Sequence, residues 1–336
     1  MTDPSRRLGP VVRLAPAKLN LTLAVVGRRP DGYHGLHSVM VPLALADRLS
    51  VAPAAAGEET VHVVGGVVDW PPDRDLVRRA ISTARIAVGR LGPWGSGPAP
   101  ALAVRLEKRI PVAAGLGGGS SDAAAAIDAA LEAWGVEPDP EVRLASAVAV
   151  GSDVPFFLAG GPALVEGRGE AVEPLPAIAG GPPGILLVTP GLRVSTASVF
   201  AAFDELRAFG PPVPAGDPAI RLTSEHLAAE LRQGLTAIRL VDRSGVLAVA
   251  NDLAAATAVL EPALPTFRRR LFRFLGRPVG QSGSGPTLWA LYPSLDAAEA
   301  AAALVADALA RGDLEPPGAD RPTVHATTPL PGGPDR

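Results

Sequence analysis

From Leu19 to Val25 the chain alternates: Leu19, Leu21, Leu23 and Val25 share one side, while Lys18, Asn20 and Thr22 share the other. Within the run VVRLAPAKLNLTLAV, which begins at Val11, this period of two predicts a half-buried strand. The following segment GRRPDGYHGLHSV sets Pro30, Asp31 and Gly32 in a row. Together they supply a fixed φ, a side chain able to bond the backbone and tolerance of positive φ, which predicts a turn. Further strand-like runs cover 39–45, 49–52, 61–64 and 102–106, and a helix is predicted over 75–88. Residues 122–134 are helix formers, apolar nearly all round and followed by Gly135, which predicts a buried helix with a glycine stop.

Beyond residue 184 the pattern changes. A strand is predicted in ILLVTP from Ile185, helices over 199–209 and 223–232, and more helix between 246 and 275, broken near Pro262 and Pro265. A strand in TLWALY, an alanine-rich helix over Leu295–Arg311 and a last strand over Thr323–Thr327 complete an α+β layer pattern. The Pro/Gly-rich stretch 179–184 is the expected boundary, dividing the chain into 1–180 and 181–336. Only the last seven residues read as a loose tail.

Composition narrows the possibilities. A chain of 336 residues with 47% hydrophobic content is long enough for two cored domains. Aromatic residues are only 4%, so the core should rest on small and branched aliphatic side chains. A net charge of −3 without a basic stripe gives no footprint for a nucleic acid partner. The absence of cysteine excludes disulfides, thiolate metal sites and cysteine nucleophiles. No apolar segment follows the arginine pair of MTDPSRRLGP, and the longest uncharged stretch, 174–192, contains five prolines and four glycines. No signal peptide and no membrane span are therefore expected, and a soluble, cytoplasmic protein is.

The stretch GLGGGSSDAAAA, residues 115–126, places glycines directly against a helix former. A helix that starts there presents unpaired N–H groups and the positive end of its dipole, and glycine lets an anion approach the main chain. The loop thus reads as a phosphate cradle, or as a tight turn that permits close helix packing. It is neither of two common phosphate motifs. The P-loop needs Lys before its Ser/Thr, where Gly119 stands, and the dinucleotide fingerprint needs Gly or Ala where Ser120 stands.

The longer frame EKRIPVAAGLGGGSSDAAAA, residues 107–126, resembles the central phosphate-binding motif of the GHMP kinases, the superfamily of galactokinase, homoserine kinase, mevalonate kinase and phosphomevalonate kinase. APAKLNLTLAVVGRRPDGYHGLHSV from Ala15, and GSDVPFFLAGGPALVEGRGE over 151–170, resemble motifs of its 4-diphosphocytidyl-2-C-methyl-D-erythritol kinase family. GQSGSGPTLWALY over 280–292 resembles the third superfamily motif. The resemblance implies a two-domain α+β GHMP kinase fold, with a ribosomal S5 domain 2-like amino-terminal domain and a ferredoxin-like carboxyl-terminal one. It implies ATP as donor with Mg²⁺, the 2-hydroxyl of 4-diphosphocytidyl-2-C-methyl-D-erythritol as acceptor in non-mevalonate isoprenoid synthesis, and a monomer or homodimer.

The same resemblance assigns residues. ATP phosphates would lie on Pro111, Val112, Ala113, Ala114, Gly115, Leu116, Gly117, Gly118, Gly119, Ser120 and Ser121, with Ser121 also a Mg²⁺ ligand. Asp153 would accept or orient the hydroxyl proton, a task that needs alignment more than basicity when the transition state is loose. By itself, Ser152 or Asp153 before Val154-Pro155 is helix-start chemistry. Lys18 would touch both the reacting hydroxyl and the transferring phosphoryl group; by itself it is a solvated lysine on an exposed strand face. Asn20, Tyr33, His34, Thr196 and Phe200 would hold the substrate, with Tyr33 and Phe200 as stacking rings and His34 at the cytidine edge. The plain alternative for these rings is packing, and for QSGSGP a hairpin turn. His34 and His37 have no third ligand close in sequence, so structural zinc is not expected. Two departures stand out: Asp75 where relatives usually carry Asn, and Val112, Ala113 and Ala114 in place of a more glycine-rich run. A GHMP kinase with another acceptor alcohol, and a nucleotide sensor that transfers nothing, are the competing readings.

Overall fold

The two predicted runs 39–45 and 49–52 form one strand in the computed structural model, which describes residues 10–54, 57–65, 75–89, 97–137, 139–208 and 216–332. In chain order, β1 (Val11–Asn20) and β2 (Ala24–Arg28) precede this strand, β3 (His34–Pro53), and β4 (Thr60–Val64) follows it. Next come α1 (Leu76–Val88), β5 (Leu102–Glu107), α2 (Gly118–Ala133), α3 (Pro140–Val150), α4 (Val154–Leu158), β6 (Ala163–Gly167) and β7 (Ala171–Pro174). Then follow β8 (Gly184–Thr189), α5 (Thr196–Ala208), α6 (Pro218–Arg232), α7 (Ala237–Asp242), α8 (Ser244–Leu247), α9 (Leu253–Leu260) and α10 (Ala263–Leu275). The chain closes with β9 (Gly280–Gln281), β10 (Leu288–Tyr292), α11 (Leu295–Arg311) and β11 (Thr323–Thr327).

Several differences from the sequence expectations have physical reasons. Residues 36–40 of β3 pair with β6 and residues 48–53 with β5, so ladder bonds on both sides of Asp47 carry the strand through that polar residue. α2 starts at Gly118, four residues before the predicted 122, because the glycines themselves enter its first turn. Pro265 does not break α10; it sits in the first turn, where a missing N–H is harmless. The tail is shorter than predicted, since Leu330 N donates to Pro42 O and Ala44 N to Thr328 O. Residues 333–336 of that tail, and residue 209 of the predicted 199–209 helix, lie outside the described residues.

Contacts divide the chain into two compact units that are not consecutive halves. One comprises Met1–Pro16, Ala46–Ile110 and Gly118–Leu158; the other comprises Ala17–Leu45, Pro111–Gly117 and Ala159–Arg336, and so contains the segment 179–184. In the first unit β5 pairs antiparallel with β3 and parallel with β4. Its core joins Leu49, Val51, Ile81, Leu102, Leu106, Ile127 and Trp134, and the alanines of α2 at 123, 126, 129 and 130 are fully buried in it. Small side chains let α2 lie close to its neighbours on nearly every side, as its unpatterned apolarity predicted. In the second unit the order β11-β8-β10-β9 is antiparallel throughout. Numbered within that sheet the order is 4-1-3-2, the split βαβ arrangement of a ferredoxin-like fold. Leu264, Phe267 and Leu271 of α10 and Ala298, Ala301 and Val305 of α11 share a core with Leu186, Val188, Leu288 and Ala290 of that sheet. No helix among the described residues is long and apolar enough to cross a membrane.

The Asp75 departure has a local explanation. Its carboxylate accepts the N–H of Val77 at 2.9 Å and of Arg78 at 3.3 Å, capping α1. Asn caps equally well. Asp75→Asn is therefore expected to unfold in urea within about 0.3 kcal/mol of the parent, while Asp75→Ala should lose about 1 kcal/mol. Equal losses in both variants would show that the charge, and not the cap, matters.

Candidate functional site

In the second unit both faces of the first strand are enclosed. Lys18 is 4% exposed, Asn20 2% and Thr22 1%, so the half-buried reading fails for this part of the run, although Val12 and Leu14 before it are exposed, and the solvated-lysine alternative is removed. A buried ammonium needs acceptors, and the strand supplies one: Lys18 Nζ donates to Asn20 Oδ1. Asn20 Nδ2 donates to Ser38 Oγ at 2.9 Å, and Ser38 Oγ to the Thr22 carbonyl at 2.5 Å.

The glycine loop reaches the same place. Lys18 N donates to Leu116 O at 2.9 Å, Ser282 Oγ to Gly115 O at 3.0 Å, and Thr287 N to Ala114 O at 3.3 Å. Gly115 has φ +76°, and a Cβ there would collide with Ser282 O and lie 2.9 Å from Gly285 O, so no side chain fits. Ala113 takes φ +53°, which costs an L-residue about 1–2 kcal/mol and makes this run strained as well as stiff. Pro111 and Val112 precede it in the same unit, and Gly117, at φ +69°, ends the loop there. The segment 281–286 is indeed a tight turn, with Ser282 N on Thr287 O and Gly285 N on Ser282 O. It is also part of the cluster: a Cβ on Gly283 would lie 3.2 Å from both Lys18 Nζ and Asn20 Oδ1, and 3.4 Å from Gly115 O. Asn251 Nδ2 steadies the turn through Gln281 O and Gly283 O, at 3.0 and 2.9 Å. Three motifs far apart in sequence thus meet around Lys18.

The residues assigned to a base also lie in the second unit. His34 Nε2 is 2.7 Å from Asp204 Oδ1, and its ring stacks on Phe200 with centroids 4.8 Å apart and planes 20° apart. Tyr33 is exposed, with the Arg168 guanidinium over its ring at 5.2 Å. Each aromatic therefore already has one face covered. Thr196 begins α5, with Oγ1 3.0 Å from Ser284 Oγ.

In the first unit, Gly118, Gly119, Ser120 and Ser121 form the opening turn of α2, where backbone N–H groups have no intrahelical acceptor. A Cβ on Gly118 would lie 3.1 Å from Ile110 Cγ2 and 3.4 Å from Lys108 Nζ, so packing accounts for this glycine. At Gly119 the nearest atom would be Leu76 Cδ1 at 3.5 Å, an ordinary contact, so packing does not require glycine there. Ser120 is half-buried, and the buried Ser121 Oγ has no hydrogen-bond partner. Beneath this turn Lys108 pairs with Asp47 and, at 2.6 Å, with Asp122. Asp47 Oδ1 also accepts the N–H of Arg109 and Ile110. Burial pulls the Lys108 amine down, but the charges of Asp122 and Asp47 more than reverse this and hold it above its ordinary value. Burial, joined by the like charge of Asp47, raises Asp122 despite Lys108, and its Oδ1 is enclosed without a donor. Asp153 lies in the turn between α3 and α4, half-buried and directly before Val154.

Sequence reasoning missed Asp47, Lys108 and Ser38. The signal for the first two was Asp122, a charge inside an otherwise apolar buried stretch that must have a partner. Among the described residues no cluster of three or more His, Asp or Glu side chains could hold a metal ion. The unpaired Ser121 hydroxyl suits a Mg²⁺ that takes most of its ligands from phosphates and water.

Comparison with known proteins shows the family and the fold. The family described as GHMP kinases N terminal domain matches residues 75–161. The chain is 39% identical over 299 residues to a 4-diphosphocytidyl-2-C-methyl-D-erythritol kinase of Pelotomaculum thermopropionicum, covering 87% of this chain and 93% of that one. It is 39% identical over 330 residues to the enzyme of that name from Nocardia farcinica, covering 96% and 95%. A crystal structure of 4-(cytidine 5'-diphospho)-2C-methyl-D-erythritol kinase superposes with a TM-score of 0.64 at 34% identity, covering 96% of this chain and all of the other. A homoserine kinase from Cytophaga hutchinsonii reaches the same TM-score at 16% identity and shows the shared fold.

His37 gives the second unit a pH dependence. Its Nδ1 is 2.9 Å from Ser224 Oγ, and burial lowers its pKa; Glu166 and Glu225 push it up, and Arg221 pushes it down. The unfolded chain binds this proton more tightly, so the stability present above pH 6.5 is lost as pH falls through the lower folded value. His37→Asn should flatten the fall in denaturant stability below pH 6.5, leaving a residual slope from His325, which burial also lowers. An unchanged slope would contradict this.

Proposed function

Because the chain belongs to the 4-diphosphocytidyl-2-C-methyl-D-erythritol kinase family of GHMP kinases and is an ATP-dependent kinase, we propose that its acceptor is the 2-hydroxyl of 4-diphosphocytidyl-2-C-methyl-D-erythritol, and that Lys18 and Asp153 act on that hydroxyl. The observation that carries this is the enclosed Lys18 ammonium, held on Asn20 beside Gly115 and Gly283. The reaction moves the terminal phosphoryl group of ATP to the alcohol oxygen, leaving ADP, the 2-phosphate and a proton. A fixed cation shielded from water stabilises the charge that spreads over the equatorial oxygens, because little reorganisation is needed as it develops. Asp153 takes or orients the hydroxyl proton.

The N–H groups from Gly115 to Ser121 receive the phosphates, and the room at Gly119 supports a ligand's approach there. Mg²⁺, when bound with ATP, neutralises phosphate charge, with the Ser121 hydroxyl as the proposed protein ligand. Tyr33, His34 and Phe200 take the cytidine end, with Asp204 steadying the imidazole, and Thr196 touches the substrate. The absence of cysteine fits a cytoplasmic enzyme.

An acceptor panel with Mg-ATP tests this directly. Offered side by side with homoserine, mevalonate and galactose, the cytidyl alcohol should be the one phosphorylated. Lys18→Met and Asp153→Asn should each lower kcat by about 10²–10⁴-fold while melting like the parent. Phosphorylation of a different alcohol would replace the acceptor, and full turnover by Asp153→Asn would remove that residue from the chemistry.

A further inference from the structure

Ser38 lies on β3 with no solvent exposure, and its hydroxyl has one proton and two lone pairs. The proton points at the Thr22 carbonyl oxygen, 2.5 Å away, and a carbonyl can only accept. Asn20, 2.9 Å from the same hydroxyl, therefore meets a lone pair, which only its amide NH₂ can satisfy. On its other side stands the Lys18 ammonium, which can only donate, so the amide presents Oδ1 there. A single orientation of the Asn20 amide satisfies both neighbours.

Thr22 is not free to change these roles. Its own hydroxyl accepts the Val39 N–H at 3.0 Å and donates to Ser224 Oγ at 2.9 Å. The Ser38 backbone is fixed as well, in register with Val165 of β6. Every group in this chain is buried, so water cannot substitute for a missing partner.

We propose that Ser38 is a positioning residue for phosphoryl transfer: by fixing the direction of the Asn20 amide it keeps the carbonyl oxygen on Lys18 and so sets where the ammonium stands. This rests on the reading of Lys18 as the charge at the reacting hydroxyl. Without the Ser38 oxygen, one amide N–H loses its acceptor, the amide can turn, and Lys18 loses a fixed tether.

A double-mutant cycle in the full-length enzyme tests the proposal. Ser38→Ala should lower kcat about 10- to 100-fold, with KM for ATP changed less than about twofold. Ser38→Thr, which keeps the hydroxyl, should restore most of the loss. In an Asn20→Ala background, Ser38→Ala should cause no further loss, because its effect passes through the amide. Equal losses in both backgrounds would show that Ser38 acts by packing and overturn the proposal, as would wild-type kcat in Ser38→Ala. Should Ser38→Ala fail to fold, Ser38→Cys, of similar size but a weak acceptor, carries the same comparison. Lys18→Met separates the two claims. If it is inactive while Ser38→Ala is fully active, the positioning role alone fails; if it is active, the reading of Lys18 fails and the positioning role with it.

Discussion

An ammonium removed from water is the constraint around which the second unit is arranged. Lys18 is almost wholly enclosed, and a bare buried charge would be very costly. The surroundings answer with the side-chain carbonyl oxygen of Asn20, and with a turn so near that a Cβ on Gly283 would lie 3.2 Å from the ammonium. Glycine at 283 leaves the space beside the ammonium open, glycine at 115 lets the loop close on the 282–285 turn, and both residues take positive φ. The polar face of one strand, a loop a hundred residues later and a turn near residue 283 are thereby committed to one point.

The first unit solves a related problem at the mouth of α2. Two carboxylates and one ammonium are buried under the first turn, and the arrangement is asymmetric. Asp47 takes two backbone N–H groups besides Lys108, whereas Asp122 leaves one oxygen without a donor. Lys108 thus ties the strand bearing Asp47 to the helix whose N–H groups point outward. An anchored first turn would hold those donors ready for the phosphates proposed to bind there, which is the condition for strong electrostatic stabilisation.

Much of this was legible in the sequence because local rules and global packing agreed. The Pro30-Asp31-Gly32 turn, the strand at Thr323–Thr327 and the helix at Leu295–Arg311 fall where pattern places them. The glycine loop could be read as a cradle or as a packing turn, and the structure shows why: a Cβ would crowd Ile110 at Gly118 but meet only an ordinary contact at Gly119. What pattern could not show was how polar residues are shared. Alternation put Lys18, Asn20 and Thr22 on one face but could not say that this face is buried, since that depends on Ser38, Ser224 and the 282–285 turn, all distant in sequence. Likewise nothing about Asp47, in the gap between the runs 39–45 and 49–52, pointed to its partners at 108–110.

If the crowding around Lys18 serves the chemistry, a side chain added at residue 283 must disturb it. Gly283→Ala tests it against a built-in control, Gly180→Ala. Both positions have positive φ, +54° and +74°, but a Cβ at 283 would press on Lys18 Nζ and Asn20 Oδ1, whereas at 180 it would meet nothing within 4 Å. Single-turnover phosphoryl transfer should fall at least about 10-fold in Gly283→Ala and stay near the parent rate in Gly180→Ala. Parent-like transfer by Gly283→Ala would contradict the account.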